Sequence, residues 1–144
     1  MRANWLTACE LADAAAEVGD RATATALHSR LAPYADLFAV VGRGVGCSNA
    51  TGYYLGRLAA TLGDLGEAEA RFRRAASAAD GAGFGPYAAA SLVRLGEVLA
   101  ARGEPERARD ALAEAIARAE RLNMPGLVAE ARPALRARAA TAAS

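Results

Sequence analysis

The sequence predicts an all-α fold, a right-handed superhelix of antiparallel helical hairpins with a helix that caps its C-terminal end. Three observations support this fold class. Alanine, the strongest helix former, supplies 41 of the 144 residues. Apolar residues recur with helical spacing, as at Leu55, Leu58, Ala59 and Leu62, which form one stripe along a helix. The same pattern occurs three times along the chain, which indicates a repeat protein.

The three copies align on a glycine followed by an acidic residue, a pair that marks a turn between two helices. These turns are Gly19-Asp20, Gly63-Asp64 and Gly103-Glu104. Eight residues before each glycine stands a leucine: Leu11, Leu55 and Leu95. Nine residues after each glycine stands a larger side chain: His28, Phe72 and Leu112. Because one hairpin cannot bury its apolar stripe alone, the stacking of neighbouring hairpins is expected to form the core.

The aligned copies place the elements in order within a single domain over residues 1–144. The hairpins are expected at about residues 3–32, 48–82 and 86–122, with a Gly-containing loop at about 33–47 after the first. A capping helix is expected at about 125–139, with an apolar face against the third hairpin and an arginine-rich face in solvent.

The aligned residues carry a family resemblance. Leu55-Gly56, Ala68, Phe72 and Ala75 resemble the tetratricopeptide repeat pattern, and the third copy follows it with leucine for the phenylalanine. The resemblance implies three tetratricopeptide-like repeats that act as a non-enzymatic protein–protein interaction scaffold.

A narrower resemblance covers nearly the whole chain. The segments 31–35, 40–42, 54–56 and 65–70, together with Cys47, are similar to the long-period repeats of large bacterial regulators. Those regulators carry an ATPase module together with a nucleotide cyclase, kinase or LuxR-type DNA-binding domain. This resemblance implies a scaffold or sensing region of a signalling or transcriptional regulator. The chain itself is expected to be cytoplasmic, because its sequence shows neither a signal peptide nor a membrane span.

Composition excludes several classes of function. The formal net charge of +1 is too balanced for the basic surface of a nucleic-acid binder or a membrane anchor. The chain has no lysine, which a Walker-type phosphate loop requires. No catalytic or metal-binding signature accompanies His28, the single histidine, so we expect no enzyme activity, no cofactor and no metal. His28 is expected to pack in the core, and Cys9 and Cys47 to be reduced thiols.

The glycine-rich stretch Gly42–Cys47 leaves an alternative open. Its spacing does not fit a dinucleotide-binding fingerprint, because Cys47 stands where a glycine is needed. The favoured interpretation is a longer loop between repeats. The alternative is a ligand-sensing domain in which this loop closes over a small molecule or nucleotide.

The first helices of stacked hairpins line a concave groove, which is the expected site for a protein or peptide partner. The predicted groove residues are Cys9, Asp13, Tyr53, Arg57, Val93 and Glu97. Arg57 is predicted to be the electrostatic contact and Tyr53 the apolar anchor. Intramolecular salt bridges within a groove that binds nothing are the alternative.

The N-terminal repeat is also expected to support a homodimer. Trp5, Leu6 and Leu11 begin the first helix, and no polar helix stands before them in the sequence. A terminal repeat otherwise presents an apolar face to water. We therefore expect Trp5 and Leu6 to be partly exposed and to be covered by a second copy.

Overall fold

The computed structural model describes residues 5–41 and 46–142, without the side chains of residues 40, 41, 46, 47 and 138–142. Within this part of the chain seven α-helices make up most of the fold, which confirms the all-α repeat prediction. They are α1 (Trp5–Val18), α2 (Arg21–Leu31), α3 (Thr51–Leu62), α4 (Leu65–Gly81), α5 (Gly85–Ala101), α6 (Pro105–Arg121) and α7 (Pro125–Ala142).

The chain divides into two compact units, which we call the N-terminal unit (to Ala75) and the C-terminal unit (from Ala76). The N-terminal unit contains α1, α2, α3 and the first part of α4. The C-terminal unit contains the end of α4 with α5, α6 and α7. No helix among the described residues is long and apolar enough to cross a membrane.

One kind of helix end recurs through the fold and sets the length of the repeats. Five helices are followed by a residue with positive φ: Gly19, Gly63, Gly83, Gly103 and Asn123. At each of these ends the next residue donates its N–H to a carbonyl five residues back, over 2.8–2.9 Å. These are Schellman caps, which satisfy carbonyls that the last helical turn leaves free. From Gly63 onward, each cap follows the previous one by 20 residues, so each helix together with its turn occupies 20 residues.

Two glycines lie against the large side chains that the repeat alignment singled out. Each glycine lets its helix approach the paired helix closely. A Cβ on Gly56 of α3 would lie 2.9 Å from a ring carbon of Phe72 on α4. A Cβ on Gly96 of α5 would lie 2.6 Å from Cγ of Leu112 on α6. Phe72 is 1% exposed and Leu112 is 0% exposed. The alignment of the second and third repeats therefore reproduces the packing of both hairpins.

The first hairpin departs from this pattern. His28 occupies the position of Phe72 and Leu112, but it is only half-buried and its Nε2 lies 3.0 Å from Oε1 of Glu67. Arg71 also donates to that oxygen, over 3.1 Å. His28 therefore joins a polar network on α4 instead of acting only as a packing residue, because its ring nitrogens need partners when they are partly buried.

The segment predicted as a loop at 33–47 contains regular structure, which corrects that prediction. After a 3₁₀ turn at Ala32–Tyr34, strand β1 (Phe38–Val41) pairs with strand β2 (Gly46–Ala50) as an antiparallel hairpin. The register is irregular between Phe38 and Val40, as in a β-bulge. β2 leads directly into α3.

Backbone hydrogen bonds fix the start of α3 against the residues that precede β1. The N–H of Thr51 donates to the carbonyl of Leu37 over 2.8 Å, and that of Gly52 donates to Ala35 over 3.0 Å. A Cβ on Gly52 would lie 3.2 Å from the same Ala35 oxygen, so glycine suits this close approach. The first residues of α3 therefore have partners for N–H groups that a helix start leaves free.

Candidate partner-binding cleft

A cleft of about 340 Å³ lies between α1 and α3 in the N-terminal unit. Its wall on α1 is formed by Glu10, Asp13, Ala14 and Glu17, and Tyr54 of α3 faces them. Residues at i, i+3, i+4 and i+7 share one face of a helix, so the sequence of α1 places these side chains together. Three of the five lining residues carry a carboxylate.

Arg57 of α3 holds two of these carboxylates. Its Nη1 donates to Oδ1 of Asp13, and its Nη2 donates to Oε2 of Glu17 over 2.9 Å. The Arg57 side chain is 11% exposed, whereas those of Asp13 and Glu17 are 48% and 75% exposed. The guanidinium therefore lies beneath the carboxylates, which face solvent. Among the described side chains, Glu10 adds a third exposed carboxylate to the same wall.

The floor of the cleft is aromatic and well anchored. The Tyr54 hydroxyl is hydrogen bonded to the Ser48 hydroxyl on β2, and burial raises the pKa of Tyr54. The rings of Tyr53 and Tyr54 meet edge to face with centroids 5.3 Å apart. Tyr53 in turn lies 5.8 Å from Phe72. Such edge-to-face contacts are favourable for aromatic pairs, so the floor is connected to the core of the hairpin.

Cys9 lies in the core of the unit and is 0% exposed. Burial raises the pKa of its thiol to about 11. The thiol is therefore neutral at physiological pH. A neutral, buried thiol is a poor nucleophile, so Cys9 has a packing role.

The structure separates the six predicted groove residues. Asp13 lines the cleft and Arg57 supports it, whereas Cys9 and Tyr53 are buried beneath it. In the C-terminal unit, Val93 is 1% exposed and packs in the core. Burial removes the Cys9, Tyr53 and Val93 side chains from contact with a partner, which corrects that part of the prediction.

Glu97, the remaining member of the predicted set, lies on the surface of the C-terminal unit. Its side chain is 42% exposed and accepts from Arg94 over 3.1 Å. Sequence reasoning missed Glu10, Glu17 and Tyr54 as cleft residues. The signal was present in α1, because Glu10, Asp13 and Glu17 follow helical i, i+3, i+7 spacing.

The ligand-sensing alternative concerned the stretch Gly42–Cys47. Residues 42–45 lie outside the described residues, as do the side chains of Gly46 and Cys47. Among the residues that the structure does describe, no group of three histidine, cysteine or acidic side chains is arranged to hold a metal ion.

These hairpins, with a glycine where α3 approaches α4 and where α5 approaches α6, define a helical-repeat protein. The tetratricopeptide repeat family model matches residues 48–121, just over half of the chain. The chain therefore belongs to the tetratricopeptide repeat family, whose repeats generally mediate the binding of protein partners. Neither the curated proteins nor the solved structures include a match to the chain.

Proposed function

We propose that this chain is a non-enzymatic interaction module that binds a peptide segment carrying arginine or lysine in the α1–α3 cleft. One observation carries the proposal. The cleft presents the carboxylates of Glu10, Asp13 and Glu17 to solvent, and the guanidinium of Arg57 lies beneath two of them. An arginine side chain matches paired carboxylates because its planar fork donates several hydrogen bonds at once.

The cleft has a polar wall and an apolar floor, which suits a basic side chain with a long aliphatic stem. The stem would lie along Tyr54 and Ala14 while the charged end reaches the carboxylates. Each exposed charge pair at about 4 Å contributes about 1 kcal/mol in water, and salt screens it. Binding is therefore weakened by added salt.

Arg57 has a supporting role in this proposal. It fixes Asp13 and Glu17 in place, so that less side-chain freedom is lost when a partner binds. Tyr53 likewise supports the floor through Tyr54. Glu97, which occupies the repeat position of Asp13, is an exposed acid of the C-terminal unit and has no part in the α1–α3 cleft.

The proposed setting is a regulatory protein of the bacterial cytoplasm. The resemblance of the chain to the long-period repeat regions of large bacterial regulators supports this setting. In such a protein the module would recruit a partner or a neighbouring domain through the cleft. Sequencing the reading frame on both sides of the chain tests it, because an adjoining ATPase, cyclase or DNA-binding domain is expected there.

Selection from a random library of displayed peptides tests the binding function. Peptides selected on the wild-type protein are expected to be enriched in arginine or lysine. Glu10→Gln should weaken their binding, because Glu10 lines the cleft and contributes one of its charges. Asp110→Asn is the matched control, since Asp110 is an exposed acid on α6 and should leave binding unchanged.

Three outcomes would contradict the proposal. Selected peptides could lack basic residues, Glu10→Gln and Asp110→Asn could bind them equally, or added salt could leave their affinity unchanged. Each result would show that the carboxylates of the cleft do not recognise a basic partner.

A further inference from the structure

The α1 wall of the cleft already holds one guanidinium, that of Arg57, and its contacts indicate which basic side chain fits the same wall. Nη1 of Arg57 donates to Asp13 and Nη2 donates to Glu17, so two nitrogens of one planar group reach two different carboxylates. A guanidinium has its donors fixed in such a fork, whereas a lysine ammonium is a single point of charge. The spacing of the carboxylates along α1 therefore suits a guanidinium.

Glu10 and Asp13 provide acceptor atoms for a guanidinium that enters from solvent. The bond from Arg57 uses Oδ1 of Asp13, and Oδ2 of the same carboxylate carries lone pairs of its own. Glu10 stands three residues before Asp13 on the same face of α1, a spacing that places Cβ atoms about 5–6 Å apart. Glu10 is exposed, and the Asp13 side chain is half-exposed. A planar fork can therefore donate to both carboxylates while Arg57 keeps its own bonds.

The charge of Arg57 further separates arginine from lysine as a partner. A cation that reaches Asp13 comes close to the guanidinium of Arg57, which lies beneath that carboxylate. A guanidinium is more weakly hydrated than an ammonium and spreads its charge over a plane. It therefore loses less hydration on entering the cleft, and its repulsion from a neighbouring cation is more diffuse. An ammonium concentrates the same charge in a small volume, so the contact costs lysine more than arginine.

Tyr54 provides an aromatic surface for the planar group. Its ring lines the cleft, and its two ends are fixed, because the hydroxyl bonds the Ser48 hydroxyl and the ring contacts Tyr53 at a centroid distance of 5.3 Å. Guanidinium groups stack on aromatic rings more often than ammonium groups do. A ring that is held in place offers this contact without first losing side-chain freedom.

We infer that the cleft selects arginine over lysine, with Glu10 and Asp13 accepting hydrogen bonds from the guanidinium and Tyr54 contacting its plane. This inference rests on the proposed function, because it specifies the side chain of the basic partner. It also specifies the chemical state of that side chain. Methylation of arginine keeps the charge but removes N–H donors, so a methylated arginine is a poor partner for this cleft.

Calorimetric titration with matched peptides tests the selection. The probe is a basic peptide selected from the displayed library, synthesised in four forms that differ at one basic position. The four side chains are arginine, lysine, arginine dimethylated on one terminal nitrogen, and citrulline, which is neutral. Lysine and dimethylarginine should each weaken binding about tenfold or more, because each loses at least one charge-assisted hydrogen bond. Citrulline should weaken binding further, because it has no charge.

The ratio of arginine to lysine affinity is the readout for the protein variants. Glu10→Gln should lower this ratio, because arginine loses one of two charged acceptors while lysine keeps Asp13. Tyr54→Phe keeps the ring and should keep the ratio, whereas Tyr54→Leu should lower it. Asp110→Asn, on the surface of α6, is the control and should leave the ratio unchanged. Circular dichroism of every variant separates lost recognition from lost folding, and Glu10→Gln changes only an exposed side chain.

The results that overturn this inference differ from those that overturn the proposed function. Equal affinity for the arginine and lysine forms, or for the arginine and dimethylarginine forms, would overturn the selection and leave a cleft that recognises positive charge alone. An unchanged ratio in Glu10→Gln would overturn the assignment of Glu10 as an acceptor. Equal affinity for the arginine and citrulline forms would contradict the proposed function itself, because the carboxylates would then recognise no charge.

Discussion

Replacing Gly96 by alanine should destabilise the third hairpin, although alanine is the better helix former. The new Cβ would lie 2.6 Å from Cγ and 2.8 Å from Cδ2 of Leu112, and 3.3 Å from the backbone oxygen of Ala108. Leu112 is fully buried, so its side chain has little room to move. Overpacking of this kind costs about 1–3 kcal/mol. Alanine in place of glycine returns about 1 kcal/mol of helix propensity.

The clash can be separated from the propensity by a double-mutant cycle. Leu112→Ala alone should cost about 2–5 kcal/mol, because it removes a buried leucine. In that background the added methyl of Gly96→Ala meets no Cγ, so the substitution should be neutral or stabilising. The coupling between the two sites should be about 1–3 kcal/mol.

Urea denaturation followed by far-ultraviolet circular dichroism measures the four free energies of unfolding in this cycle. Gly126→Ala is the matched control, because a Cβ at Gly126 would meet nothing within 4 Å. It should leave the protein unchanged or slightly more stable. Equal costs of Gly96→Ala in the wild-type and Leu112→Ala backgrounds would refute the close approach of α5 and α6 at this glycine.

Three further predictions concern a helix cap, the support of the cleft and the buried thiol. Asn123 has a φ of 55°, a conformation that glycine adopts more easily, so Asn123→Gly should raise the free energy of unfolding by up to about 1 kcal/mol. Gly103 has a φ of 78°, so Gly103→Ala should lower the free energy of unfolding by about 1–2 kcal/mol. Urea titration measures both, and a loss for Asn123→Gly would contradict the shared cap geometry. Arg57→Met should lower the free energy of unfolding by about 1–2 kcal/mol, because the guanidinium bonds two carboxylates. An unchanged free energy of unfolding in urea would show that Arg57 does not support the cleft. Burial raises the pKa of Cys9 from 9.0 to about 11, so the folded protein keeps a proton that the unfolded chain loses in that range. The free energy of unfolding should therefore fall between pH 9 and about pH 11, and it should fall less steeply in the Cys9→Ala variant. Urea titrations across that range measure both slopes, and equal slopes would contradict the burial of the thiol.

Much of the helical fold was predictable from local signals. The spacing of Leu55, Leu58 and Leu62 predicts a helix whatever its neighbours are. Gly63 and Gly103 mark helix ends because the left-handed conformation favours glycine. The repeat pattern included Gly56 and Phe72, and the structure shows that these two residues are in close contact.

The β-hairpin and the contacts within the cleft were harder to predict from the sequence. β2 has the sequence Gly-Cys-Ser-Asn-Ala, which lacks the β-branched and alternating character of a strand, and it forms by pairing with β1. The bonds from Arg57 to Asp13 and Glu17 join residues 44 and 40 positions apart. A sequence pattern placed Arg57 in the groove, but only the packing of α1 on α3 shows that its guanidinium is paired with two carboxylates of the same chain.

The central claim is that a basic partner binds between α1 and α3, and chemical-shift mapping tests it most directly. Isotope-labelled protein would be titrated with an arginine-containing peptide obtained from the displayed library, with a peptide of the same composition in scrambled order as the control. The largest shift changes are expected at Glu10, Asp13, Ala14, Glu17 and Tyr54. Changes concentrated on other elements, or equal changes with the scrambled peptide, would contradict the assignment of the cleft as the binding site.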